Sequence, residues 1–102
     1  MNPNQLAECP LVLKEFLGYM ETIKGKSPKT VQEYFFDLRT FFRYMKIKKN
    51  LTAADTEFSE IPIDDITIDF LSMVSLTDVY EFMNFVTIKR ENKNAARARK
   101  SA

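Results

Sequence analysis

The chain has no histidine and no tryptophan, one cysteine, two glycines and four prolines. Without histidine there is no Ser–His or Cys–His nucleophile pair, no usual zinc ligand set and no common general base. Neither a G-x-x-x-x-G-K-[ST] nor a G-x-G-x-x-G phosphate loop occurs. The single Cys9 excludes an internal disulfide and suits a reducing compartment; it reads as a small apolar residue near the N-terminus rather than a reactive thiol. No apolar run approaches the ~18 residues of a membrane span, and the first residues lack a signal-peptide pattern. A cytoplasmic location with no membrane partner is therefore expected. The scarcity of glycine and proline leaves long uninterrupted stretches, which favours helices.

What the chain does have is phenylalanine, nine of them, within a composition that is 45% hydrophobic and 28% charged. That is enough for one domain with a modest core in 102 residues. The net charge of +1 hides segregation. Residues 24–49 carry eight Lys or Arg against Glu33 and Asp37, residues 50–81 carry eight acids and no base, and residues 82–102 carry six bases against Glu91. Two basic segments flanking an acidic one can fold into one positive and one negative face, or remain a solvated mosaic.

Residues 24–42 hold the strongest local signal. Gly25 is a natural helix stop. Ser27 can cap the free N–H groups of a new helix, with Pro28 at its first position, where a missing N–H costs nothing. Lys24, Lys26 and Lys29 crowd that helix start, although the macrodipole disfavours cations there. Such a start is suited to docking an anion such as a phosphate.

Around it, apolar spacing predicts an all-α chain. Residues 1–9 read as a flexible terminus. A first helix runs from Pro10, with Leu13, Phe16, Leu17 and Met20 on one face. A second runs from Ser27 to Met45, with Val31, Tyr34, Phe35, Leu38, Phe41, Phe42 and Met45 inward and Lys29, Gln32, Glu33, Arg39, Arg43 and Lys46 outward. Residues 50–65 read as an ordered loop, pinned by Ile61, Ile63 and Ile66. Thr67 caps a brief turn over 69–72. Thr77 and Asp78 open a third main helix with Val79, Phe82, Met83 and Val86 buried, ending near Arg90 or Glu91. Asn92 or Asn94 then caps a last helix, truncated at residue 102, whose packing face lies beyond it.

Paired carboxylates such as Asp64–Asp65 fall in the loop with no metal or glycosidase pattern, and read as a solvated acidic patch. The four tyrosines sit on or beside apolar stripes. Nothing in the sequence supports an autonomous enzyme, a cofactor or a small-molecule substrate.

The order of motifs carries a resemblance. F-L-x-Y-M over 16–20, then S-P-K-T-V-x-x-Y-x-x-D-L-R-x-F-F-x-Y over 27–44, I-x-x-I-T over 63–67, D-V-Y-E-F-M-N-F-V over 78–86 and N-A-A-R-A-R-K-S-A over 94–102 resemble the start of Xer-type and phage-integrase-type tyrosine recombinases. The resemblance spans roughly residues 10–102. It implies a core-binding, SAM-like domain: a small orthogonal bundle of four main helices whose second and fourth face DNA. It also implies that strand cleavage belongs to a separate C-terminal catalytic domain, absent here, and that partners are double-stranded DNA and other recombinase protomers in a synaptic tetramer. By that likeness, Ser27 and Thr30 approach backbone phosphates, flanked by Lys24, Lys26 and Lys29. Gln32 and Glu33 are placed to reach base edges, Arg39 and Arg43 continue the polar face, and Asn94, Arg97, Arg99 and Lys100 form the matching edge of the last helix. Ala95 and Ala96 depart from the Ser or Thr found there in many relatives, which shifts weight onto the arginines. The resemblance implies the DNA-binding part of a DNA integration or recombination protein. The alternative is a helical protein-interaction domain using the acidic loop and exposed aromatics.

Overall fold

The structure, a computed structural model, describes residues 3–53 and 55–101, with side chains described as far as residue 89. The described chain is all-helical, with no strand among the described residues. In order it forms α1 (Pro3–Glu8), α2 (Leu11–Thr22), α3 (Pro28–Lys48), a 3₁₀ turn at Phe58–Glu60, α4 (Ile68–Ser72) and α5 (Leu76–Ser101).

α3 is the spine. Its start is as expected: Ser27 is the N-cap, its hydroxyl accepting the Thr30 N–H at 3.2 Å, and Pro28 opens the helix. Its end is a Schellman motif. Asn50 takes the left-handed φ of 56°, the Leu51 N–H reaches the Lys46 carbonyl at 2.8 Å, and the Asn50 N–H reaches that of Ile47 at 3.1 Å.

The core forms where α2 and α4 meet the apolar stripe of α3. Leu13 and Leu17 pack with Val31, Phe35, Phe42 and Met45, and with Ile63, Ile66 and Phe70 from beyond the loop. The isoleucines pin the loop as the sequence indicated, and Thr67 caps α4 by accepting the Phe70 N–H at 3.3 Å. A second aromatic layer joins α3 to α5. Phe41 meets Phe82 edge-on at 5.0 Å between centroids, and Tyr44 lies 5.4 Å from Phe82 and 5.1 Å from Phe85.

Three expectations are corrected. The N-terminal residues are not frayed: residues 3–8 form α1, with Gln5 and the following Cys9 buried. A six-residue helix has no stability of its own, so docking holds it. Burial in that dock also pushes the Cys9 thiol pKa up. Second, α5 begins at Leu76, capped by Ser75 two residues before the expected Thr77, and with a different inward face. Ser75 and Asp78 close a capping box, Ser75 N–H to Asp78 Oδ2 at 2.9 Å and Asp78 N–H to Ser75 Oγ at 3.1 Å. Asp78, Phe82, Phe85 and Val86 turn toward the bundle, whereas Val79 and Met83 are exposed. Third, the expected third and fourth main helices are one continuous α5, so Asn92 and Asn94 cap nothing. No Gly or Pro interrupts residues 76–101, and Asn costs a helix interior only a fraction of a kcal/mol, below ~0.7 relative to Ala.

Phe35 is fully buried beneath α2, while its neighbour Phe36 is more than a third exposed. Phe35→Ala is therefore expected to cost about 3–5 kcal/mol and Phe36→Ala less than half of that. Urea unfolding of the two variants checks the difference.

Candidate nucleic-acid interface

The charges of α3 fall into two groups that the sequence pattern does not distinguish. In the C-terminal half, every cation has an internal partner. Arg39 Nη1 donates to Glu8 Oε2 at 3.0 Å, and its guanidinium lies over the rings of Phe35 and Phe36 at 5.3 and 5.1 Å. Arg43 Nε donates to the Ile61 carbonyl at 3.0 Å, while its Nη2 stands 3.6 Å from Glu8 Oε1. Lys46 donates to the Pro62 carbonyl at 2.6 Å and pairs with Asp65. Lys48 pairs with Asp78 at 2.7 Å and with Glu81, and Lys49 lies 3.6 Å from Asp78.

Two expected interface residues stand differently from an open polar face. Arg43 is only 7% exposed and bonds to the loop. Burial pulls its pKa down, the neighbouring Arg39 adds to that, and Glu8 opposes it. Arg39 is half-buried against α1, engaged with Glu8 and two rings, rather than standing on an open polar face. Lys46, expected outward, is 4% exposed. For Lys46, Lys48 and Lys49 the partners are acids of residues 50–81, Asp65, Asp78 and Glu81, so the acidic segment is partly a counter-charge for α3 rather than a separate face.

The N-terminal group is different. Lys24, Lys26 and Lys29 are exposed, and none joins an ion pair among the described residues. Local backbone geometry sets their place. Gly25 adopts φ 65°, and the Lys26 N–H turns back to the Met20 carbonyl at 3.0 Å. The first turn of α3 holds no acidic residue. Pro28 has no N–H and the Thr30 N–H goes to Ser27, which leaves the Lys29 N–H for solvent or an anion. The Ser27 hydroxyl donates to Thr30 Oγ1 at 3.0 Å, so Thr30 keeps its own proton for an outside acceptor. Glu33 stands exposed one turn on, beside a half-buried Gln32. Arrayed cations, a free amide and a hydroxyl donor can hold an oxyanion such as a phosphate.

Asn94, Arg97, Arg99 and Lys100 lie outside the residues whose side chains are described; the α5 backbone through them is helical. No cluster of three or more His, Cys, Asp or Glu among the described residues could hold a metal ion. No helix among them is long and apolar enough to cross a membrane.

Sequence reasoning missed the buried Asp78. The Lys48 ammonium and then the Ser75 backbone N–H hold its carboxyl well below the usual carboxylate range, and hydrogen bonds to Asp78 and then Glu81 push the Lys48 ammonium up. The S-x-x-D spacing over 75–78 was the available signal; the partner 30 residues upstream, Lys48, gave none.

Over 93 residues the chain is 44% identical to the tyrosine recombinase XerC of Caldanaerobacter subterraneus subsp. tengcongensis, a match that covers 91% of this chain and 26% of that protein. The match lies in the N-terminal region of that relative, so the chain spans about a quarter of the relative's length. No family model and no solved structure matches the chain.

A carboxyl lowered in the fold gives stability above its ordinary value, lost as pH falls below about 4, whereas the raised Lys48 gives stability that is lost only at alkaline pH. Asp78→Asn is therefore expected to lower the urea midpoint at pH 7 and to flatten the decline in stability below about pH 4. An acid limb identical to that of the parent chain would contradict the pairing.

Proposed function

Because this chain is a member of the tyrosine recombinase family, matched to the N-terminal region of its relative, we propose that it is the DNA-binding part of a site-specific recombinase. In this reading it clamps duplex DNA for integration or recombination. The strand-cleaving chemistry belongs to a C-terminal catalytic portion outside this sequence. The protein acts in the cytoplasm, with double-stranded DNA and further recombinase protomers as partners.

One observation carries the reading. α3 neutralises all of its C-terminal cations internally, yet leaves Lys24, Lys26 and Lys29 exposed at the end where the helix dipole disfavours them. An unneutralised cation cluster at a capped helix start is electrostatically sensible when an anion docks there. A phosphate backbone supplies anions in series. Ser27 and Thr30 place and orient the contact, and Gln32 and Glu33 follow one turn along the same helix for base edges. The basic run of α5, with Asn94, Arg97, Arg99 and Lys100, supplies the second edge. Affinity then comes mainly from phosphate neutralisation, with modest base reading.

The second reading, a protein-interaction domain, is favoured by the exposed Leu76, Tyr80 and Met83 on α5. It predicts a partner contact that is insensitive to the α3 lysines.

The test is a salt titration of duplex binding. Lys26→Ala with Lys29→Ala is expected to weaken binding to all duplex sequences alike and to lower the log–log salt slope by roughly 1–2, since each neutralised phosphate contributes about 0.9. An unchanged slope overturns the assignment. Arg97→Ala with Arg99→Ala is expected to act likewise. Full retention of binding in a gel-shift titration would remove α5 from the interface.

A further inference from the structure

We propose that Asp78 is the positioning residue that aims α5 at the DNA, by tying the first turn of α5 to the C-terminal end of α3. This rests on the DNA-binding reading above and adds to it a means of holding two basic edges in one geometry.

Asp78 does more than a cap requires. A capping box closes equally well in solvent. This one is 4% exposed and also binds two lysines at the end of α3, its last residue Lys48 at 2.7 Å and its C-cap Lys49 at 3.6 Å. Its Oδ2 accepts the Ser75 N–H at 2.9 Å, so one carboxylate fixes the α5 start and the α3 end together. Glu81, one turn further, takes Lys48 as well. The aromatic layer of Phe41, Tyr44, Phe82 and Phe85 holds α5 against α3, but apolar contact is non-directional. Hydrogen bonds and ion pairs are directional, and they supply the angle.

The angle matters because both helices are long. α3 carries the lysine cluster at one end and Lys48 and Lys49 at the other. The backbone of α5 runs unbroken from Leu76 to Ser101, which puts Arg97 about 28 Å along the axis from Asp78 at 1.5 Å per residue. At that lever arm a tilt of about 10° moves Arg97 by about 5 Å. A phosphate hydrogen bond, about 2.9 Å long, does not survive such a shift. Asp78 is thus placed to decide whether the α5 edge and the α3 edge engage one duplex at once.

Asp78→Asn isolates this role. The amide can still accept the Ser75 N–H, so the cap persists while the charge is lost. Lys48→Met removes the same pair from the other side and serves as the second variant. Each is measured in the 102-residue chain at a temperature where circular dichroism shows it fully folded. The expected result is duplex binding weakened roughly tenfold, within the range of coupling for groups acting as a unit, and a lower salt slope. The loss should be coupled to one edge only. Added to Arg97→Ala with Arg99→Ala, Asp78→Asn should cost little more, whereas added to Lys26→Ala with Lys29→Ala its factor should multiply. A general loosening of the fold would multiply with both pairs, and that outcome overturns the proposal. So does duplex binding by Asp78→Asn equal to that of the parent chain. If the parent chain itself shows no salt-dependent duplex binding, the DNA reading falls and this role falls with it, an outcome distinct from the other two.

Discussion

The cations in the C-terminal half of α3 must each meet a negative or carbonyl partner, and the rest of the fold is arranged around that requirement. An ion drawn out of water without a partner costs several kcal/mol. Here Arg43 and Lys46 are buried, Arg39 and Lys48 are partly so, and Lys49 stands at the exposed end of the row. Glu8 brings α1 to Arg39 and Arg43; the Ile61 and Pro62 carbonyls and Asp65 bring the loop to Arg43 and Lys46; Asp78 and Glu81 bring α5 to Lys48 and Lys49. Hydrophobic burial by Leu13, Phe35, Phe42 and Ile63 supplies most of the driving force, but it is non-directional. The polar partners specify which segment lies where along α3.

The same requirement sorts α3 by function. Its C-terminal half spends its charge within the protein, while its N-terminal turn keeps three lysines in solvent. A helix that was uniformly basic on its outer face would bind polyanions along its length. This one presents charge at one capped end, beside a backbone amide and the Thr30 hydroxyl. On the proposed DNA-binding reading, such a localised site is where backbone phosphates would register the protein on a duplex.

Local chemistry was readable without the fold. Ser27, Pro28 and Gly25 announce a helix boundary because capping and φ preference act within a few residues. Thr67 announces α4 for the same reason, and the stripe of Val31, Phe35, Phe42 and Met45 follows from helical periodicity. The failures share a cause, which is a partner distant in sequence. The polar residues 3–8 gave no sign of order because their anchors, Arg39 and Arg43, lie more than 30 residues away. Arg39, Arg43 and Lys46 read as an outward polar face because a helical wheel does not show that a loop will cover it. The inward face of α5 was misjudged because apolarity favoured Val79 and Met83, whereas a buried carboxylate with two lysines turned Asp78 inward. Of the candidate interface residues with described side chains, those in the first turns of α3 stand open, while the two arginines further along do not.

By itself, then, the sequence determined an all-helical chain, the capped and lysine-rich start of α3, the phenylalanine core and the absence of histidine chemistry, since each depends on residue type or on neighbours within one or two turns. Only the tertiary structure decided which basic residues remain open to solvent and how α5 is anchored. Those outcomes depend on charges 19 to 35 residues apart meeting across the bundle. Electrostatic pairing at such separations is set by packing, which local pattern does not encode.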